Sequence, residues 1–304
     1  MKRLLRYFVI FFLPILIIGT MVEIMLRRIP NDYQLKKEFL DQHADSLEVL
    51  FLGNSHAFYG VNPKYISSPS FNAGDISQSL DYDLEILKKY KNHWNNLEYI
   101  AIPISYFSLY SALEDDVEAW RIKNYLLYFG IRKSHKLADH TEILSNRLGL
   151  NLKRIYNAYV RNMTYITCSA LGWGLGYTSK KKNDLDKSGI IAAEKHTDMI
   201  KKPIDENLKI VRQISAFADA RGVEVIFYTP PAWHTYTENL DDITLFKTVS
   251  TMTRIDKQYQ NVHYYNLLTD HHFQKTDFFD ADHLNEIGAK KLTFMLDSLI
   301  KSRE

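Results

Sequence analysis

The strongest constraint on this chain is a repeated alternation in which a short, apolar, strand-like run is followed by turn chemistry and then by a helical stripe. Residues 47–52, 99–104, 223–229 and 262–267 are the runs, rich in Val, Ile, Leu, Phe and Tyr. Between them, residues 81–91, 207–220 and 240–259 space their apolar side chains as one helix face does, with Leu208, Val211 and Ile214 the clearest set. Gly53, Gly222 and Pro230-Pro231 mark the breaks. Strands separated by helices cannot close as hairpins, so the pattern predicts an α/β fold with a parallel sheet buried on both faces. At 304 residues and 46% hydrophobic, the chain can bury such a core.

The first run ends in Gly53-Asn54-Ser55-His56. A tight bend at Gly53 predicts Ser55 at the change from strand to helix, its hydroxyl exposed at the carboxyl edge of the sheet and its own N–H free. A serine hydroxyl is a weak nucleophile unless a neutral imidazole lies in reach and an acid orients that imidazole. Asp280 and His283 supply both types, and a turn over residues 280–283 places side chains three apart on one side. Residues 284–300 follow as an amphipathic helix that anchors the turn. Ala232-Trp233-His234 falls after another run, at the same sheet edge, which makes His234 a candidate substrate contact.

These residues carry a resemblance. Gly53-Asn54-Ser55 near the start and Asp280-x-x-His283 near the end resemble blocks I and V of the SGNH (GDSL-type) hydrolase family, and Phe71-Asn72-Ala73-Gly74-Asp75 is similar to block II. The likeness covers residues 47–110 and 220–300. It implies a three-layer, flavodoxin-like sheet of about five parallel strands, with Ser55 as nucleophile, His283 as base, Asp280 as orienting acid, and the N–H groups of Ser55 and Gly74 as an oxyanion hole. The family's block III asparagine has no counterpart, since residues 99–104 run into Ser105-Tyr106. One such donor is worth about 3 to 4 kcal/mol of transition-state stabilisation. Asn54 also stands where the commoner version has aspartate, a residue that is not the triad acid.

A hydrophobic run over residues 7–26 is about the length that crosses a bilayer as a helix. No small-x-small cleavage pattern precedes Arg27-Arg28, which predicts an uncleaved anchor with membrane lipid as its partner. Pro14 is expected to kink it, and Glu23 is costly unless it lies near the interface. The expected organisation is an anchor (1–28), a polar helical stalk (29–46) and a catalytic domain (47–304) with a cap inserted at about 111–201. In that cap, residues 117–128 read as a helix and the Gly-rich residues 171–177 as a loop. Trp173 in the loop could stack on a sugar face.

Together, anchor, Gly-Asn-Ser-His motif, missing asparagine and cap resemble the anchored SGNH-like proteins that O-acetylate extracellular polysaccharides, the alginate acetylation proteins among them. That resemblance implies acyl, chiefly acetyl, transfer to or from a cell-surface glycan outside the cytoplasm, in a bacterial inner membrane, with a membrane-bound acyl-donating protein as partner. A surface esterase or deacetylase using water, and an inactive glycan-binding or assembly protein, stay open as alternatives. Asn54, Ser105, Trp173 and His234 are the expected substrate contacts. No cofactor and no metal is expected: there is no phosphate-cradling Gly-rich motif, and the side chains of adjacent His271 and His272 should diverge. With 38 basic and 36 acidic residues there is no strong field for nucleic acid, and the single Cys168 can form no internal disulfide.

Overall fold

The computed structural model describes residues 2–181 and 183–303, so Met1 of the expected anchor lies outside it. Along the chain come α1 (Lys2–Arg27), α2 (Asp32–His43), β1 (Val49–Phe51), α3 (Ser55–Gly60), β2 (Ser70–Asn72), α4 (Leu80–Lys89) and β3 (Tyr99–Pro103). Then follow α5 (Ile122–Asn124), α6 (Glu142–Ser145), α7 (Leu148–Tyr159), α8 (Leu185–Asp198) and α9 (Ile204–Asp219). The chain closes with β4 (Glu224–Thr229), α10 (His234–Thr237), α11 (Asp242–Gln258), β5 (Val262–Asn266) and α12 (Glu286–Lys301).

The five strands pair in parallel in the order β2-β1-β3-β4-β5, the flavodoxin-like doubly wound arrangement. The runs of β1, β3 and β4 are nearly continuous in apolar character because both faces are covered, while the edge strand β5 is only partly buried. Val49, Phe51, Ala101, Ile226 and Tyr228 point to one side, where Leu292, Leu296 and Ile300 of α12 join the same cluster. The alternate residues Leu50, Ile100, Val225 and Phe227 are fully buried as well. Every strand therefore delivers its carboxyl end, and the loop that follows, to one edge.

The chain divides into two compact units. One comprises Glu38–Ala119 and Cys168–Glu304 and contains the whole sheet. The other joins Met1–Lys37 to Trp120–Thr167. Of the residues expected to form the cap, 120–167 fall in the unit with residues 1–37, and 111–119 and 168–201 in the unit with the sheet. Within residues 29–46, expected as a helical stalk, α2 is helical, Leu40 is buried and Phe39 stacks on Phe71 at 4.0 Å. The helix foreseen over residues 117–128 is wound in three periods, a 3-10 turn at Ala119–Arg121, α5, and a π turn at Tyr125–Phe129 ended by left-handed Gly130.

Within the unit that holds the N-terminal residues, α1 is long and apolar enough to cross a membrane. Pro14 lies inside it without ending the helix. Glu23 receives the backbone N–H groups of Glu142 and Ile143, each at 3.0 Å, and the Arg27 guanidinium. Its carboxylate caps α6, which supplies the charge with partners that hydrocarbon would not. Glu142 in turn is fully buried among Lys123, Arg154 and the Tyr128 hydroxyl, and these cations hold its carboxyl down at about 2 against the opposing effect of burial.

Gly53 tests the turn that follows β1. Its φ is +109°, and a Cβ there would lie 2.6 Å from Pro103 Cδ. Gly222, after α9, has φ +66° and open space around it. Gly53→Ala is expected to destabilise the protein by about 2 to 3 kcal/mol in urea unfolding, and Gly222→Ala by about 1 kcal/mol. Equal effects would contradict the close-packed turn.

Candidate active site

The turn begins at Gly53, whose N–H donates to Asp83 Oδ1 at 2.8 Å and whose carbonyl accepts from Asp75 N at 3.0 Å. Asp83 is fully buried, and desolvation pushes its carboxyl up to about 7 despite the bonds from Gln78 and Gly53. Asn54 is the N-cap of α3, its Oδ1 accepting from His56 N at 3.0 Å. Ser55 is then the first residue of α3. Its N–H is one of the orphan donors of a helix start and, among the described residues, bonds no protein group.

Ser55 Oγ lies 2.8 Å from His283 Nε2. The other ring nitrogen, Nδ1, lies 3.0 Å from Asp280 Oδ1, which also accepts from the backbone N–H of His283 at 2.8 Å and of Asp282 at 3.3 Å. The three residues expected to meet do so in line. Their support is not the helical turn expected: residues 279–283 form a bent loop closed by an antiparallel bridge between Phe278 and Leu284. Asn285 holds the loop from below, donating to the Thr276 and Phe278 carbonyls and accepting from Ile287 N and Gly288 N at the start of α12. Trp233 N, in the loop after β4, donates to Ala281 O at 2.7 Å.

The sequence reading missed a second layer. Asp282 is buried, and its Oδ2 lies 3.3 Å from His283 Nδ1 and 3.7 Å from Nε2 of both His56 and His196, with no in-line hydrogen bond to any of them. His56 stacks flat against His283, ring centroids 4.7 Å apart. Burial strips His56 and His196 of their charge, taking His196 down to about 3. For Asp282, desolvation works against ionisation, yet the charge and proximity of His283 win and hold its carboxyl well below the usual range. Burial likewise opposes charge on His283, but Asp282 first and Asp280 second raise it well above its ordinary value.

Other expected contacts fall elsewhere. Asn54 Nδ2 donates to Ser105 Oγ at 3.0 Å, and Ser105 Oγ lies 2.9 Å from His56 Nδ1, so both are buried braces and not open substrate contacts. The Gly74 N–H is engaged with Asn72 Oδ1 at 3.0 Å, which removes it as a ready oxyanion donor. Asn72 also binds the Ala57 and Val61 carbonyls, tying the end of α3 to the loop after β2. Trp173 is half-buried with its indole N–H on Tyr59 O at 2.7 Å, so its polar edge is spent internally. His234 is the exposed first residue of α10, facing Glu238 at 3.3 Å. Nearer to His283, half-buried Tyr59, Tyr177 and Phe279 form a continuous stack with centroid spacings of 3.6 and 3.9 Å.

Among the described residues, two groups place imidazole and carboxylate ligand atoms within 4.8 Å of one another: His56 with Asp282 and His283, and Asp270 with His271 and His272. A cation in the first would compete for His283 Nδ1 with Asp280. In the second, the two rings stack at 4.4 Å instead of diverging, because Asp270 draws His272 Nδ1 to 2.7 Å.

No family model matches the sequence, and no curated protein does. Among solved structures, a protein from Bacteroides fragilis named an acylhydrolase is 12% identical at a TM-score of 0.39, over 88% of this chain and 96% of that one. A protein from Streptococcus pneumoniae named a platelet activating factor is 12% identical at a TM-score of 0.41, over 94% and 98%. Neither likeness assigns a role to any residue here.

The paired carboxylates give a measurable signature. In an NMR titration of the full chain in detergent, His283 is expected to lose its proton at a pH above the ordinary 6.5, while His196 stays neutral through mild acid. Asp282→Asn removes the larger of the two attractions and is expected to lower the His283 midpoint. An unmoved midpoint would contradict the assignment of Asp282.

Proposed function

We propose that this protein transfers acyl groups through Ser55, with His283 as general base and Asp280 as the acid that fixes its ring. The observation that carries the reading is the line from Ser55 Oγ to His283 Nε2, at 2.8 Å, and on from Nδ1 to Asp280, at 3.0 Å. Ser55 Oγ attacks the acyl carbonyl as its proton passes to His283 Nε2. Collapse of the tetrahedral adduct breaks the bond to the leaving oxygen, which takes the proton from His283 Nε2, and leaves an acyl-Ser55 ester. An incoming hydroxyl repeats the sequence in reverse.

The neutral fraction of His283 is the reactive one, so the rate is expected to rise with pH through its raised midpoint. In this reading the Ser55 N–H, at the start of α3, donates to the oxyanion, and Gly74 joins it only if Asn72 releases the Gly74 amide. We assign the acyl group as acetyl and the acceptor as a cell-surface glycan on the resemblance of Gly53-Asn54-Ser55-His56 and Asp280-x-x-His283 to anchored O-acetylating SGNH-like proteins. The apolar α1 supports a site held at a membrane, and in this reading the site faces the outside of the cytoplasm.

With the full chain in detergent, an activated acetyl ester as donor and an oligosaccharide as acceptor, Ser55→Ala and His283→Ala are each expected to lower the rate by about three orders of magnitude. Acetylated oligosaccharide in excess of free acetate is the predicted product ratio. Acetate alone would reassign the acceptor to water. Undiminished rates in both variants would end the assignment of the site.

A further inference from the structure

Helix α7 is built inside out. Its inward positions are polar: Asn151 and Asn157 are buried, and Arg154 donates to the buried carboxylate of Glu142 at 2.6 Å. Its outward stripe, four residues apart at each step, is Leu148, Leu152, Tyr156 and Val160, exposed by 65, 51, 54 and 64%. A helix on the aqueous surface of a protein shows the opposite arrangement. Scattered exposed apolar residues are ordinary, but an unbroken stripe on a helix with a polar underside marks a surface that is covered in use.

Two features of the same unit identify the cover. The segment is fastened at both ends to one turn of α1. Glu142 and Ile143 donate their N–H groups to Glu23 at 3.0 Å, Arg27 donates to the His140 carbonyl at 2.8 Å, and the Tyr159 hydroxyl donates to the Met25 carbonyl at 2.8 Å. At about 1.5 Å of rise per residue, Glu23 to Arg27 spans about 6 Å of the helix axis. That turn is where the apolar run of α1 gives way to Arg27 and Arg28, the headgroup level of a helix that crosses a bilayer. Charge is the second feature. Trp120–Thr167 carries nine Lys or Arg and two Asp or Glu, in a chain with 38 and 36 overall. Arg147, Lys153 and Arg161 are exposed on or beside α7.

We propose that α7 lies in the interfacial layer of an anionic phospholipid bilayer, its Leu148–Tyr156 stripe among the upper acyl carbons and its flanking basic residues at the phosphates. The proposal rests on the reading of α1 as membrane-spanning and is independent of the chemistry assigned to Ser55.

The full chain, reconstituted in phosphatidylcholine vesicles containing phosphatidylglycerol, tests this with an environment-sensitive fluorophore on Leu152→Cys, Leu16→Cys or Lys209→Cys. The buried Cys168 stays in place, and the unsubstituted chain measures its background. Nitroxide lipids labelled near the headgroup or near the chain end serve as quenchers. The Leu16 probe, in α1, is expected to respond to the deep nitroxide. The Leu152 probe should respond at least about twofold more to the shallow nitroxide than to the deep one. The Lys209 probe, exposed on α9, should respond only to aqueous iodide. With Leu16 quenched, a Leu152 probe open to iodide like that at Lys209 overturns the proposal. So does one shielded from both lipid and water, which would mean a protein covers the stripe. An unquenched Leu16 probe removes the anchor reading, and this proposal with it.

Discussion

One hydrogen bond, from Ser55 Oγ to His283 Nε2, joins positions 228 residues apart, and much of the sheet unit is arranged to make it possible. Parallel pairing delivers the end of β1 and the loop after β5 to one edge. The tight turn at Gly53, which has no room for a Cβ beside Pro103 and is tied to Asp83, aims α3 from one side. Asn285 and the Phe278–Leu284 bridge fix the imidazole from the other. Such a site resides on loops, but its precision comes from the buried polar residues that leave those loops little freedom.

The electrostatics follow from burial. A carboxylate deep in the protein is tolerable only where a positive or polar partner answers it. At the site, Asp282 is answered by the His283 ring, while His56 and His196 stay neutral beside it. In the other unit, Glu142 is answered by Lys123 and Arg154. In the first case the consequence is an imidazole made more basic; in the second it is a helix turned with its polar face inward.

Much of the sheet was legible because its central strands are buried on both faces, which leaves short continuous apolar runs where a half-exposed strand would alternate. β2 was harder, being three residues long and read only as part of a glycine-bearing motif. Ser55, Asp280 and His283 were legible because nucleophile, base and acid are chemically uncommon together and stood at turn positions. His56, His196 and Asp282 were not, since their relation exists only once α3, α8 and the 279–283 loop converge. Asn54 and Ser105 were read as substrate contacts because position along the chain does not reveal that each satisfies the other. The middle of the chain yielded no reading of α7 (Leu148–Tyr159). Periodicity announces a helix, but it does not say which face is buried, and α7 buries the polar one.

The most direct measurement is covalent labelling of the full chain by a fluorophosphonate, with the adduct mapped by mass spectrometry. The account predicts a single adduct on Ser55, formed at least about a hundredfold more slowly when His283→Ala removes the base. An adduct on another residue, or an equal rate without the imidazole, would contradict it.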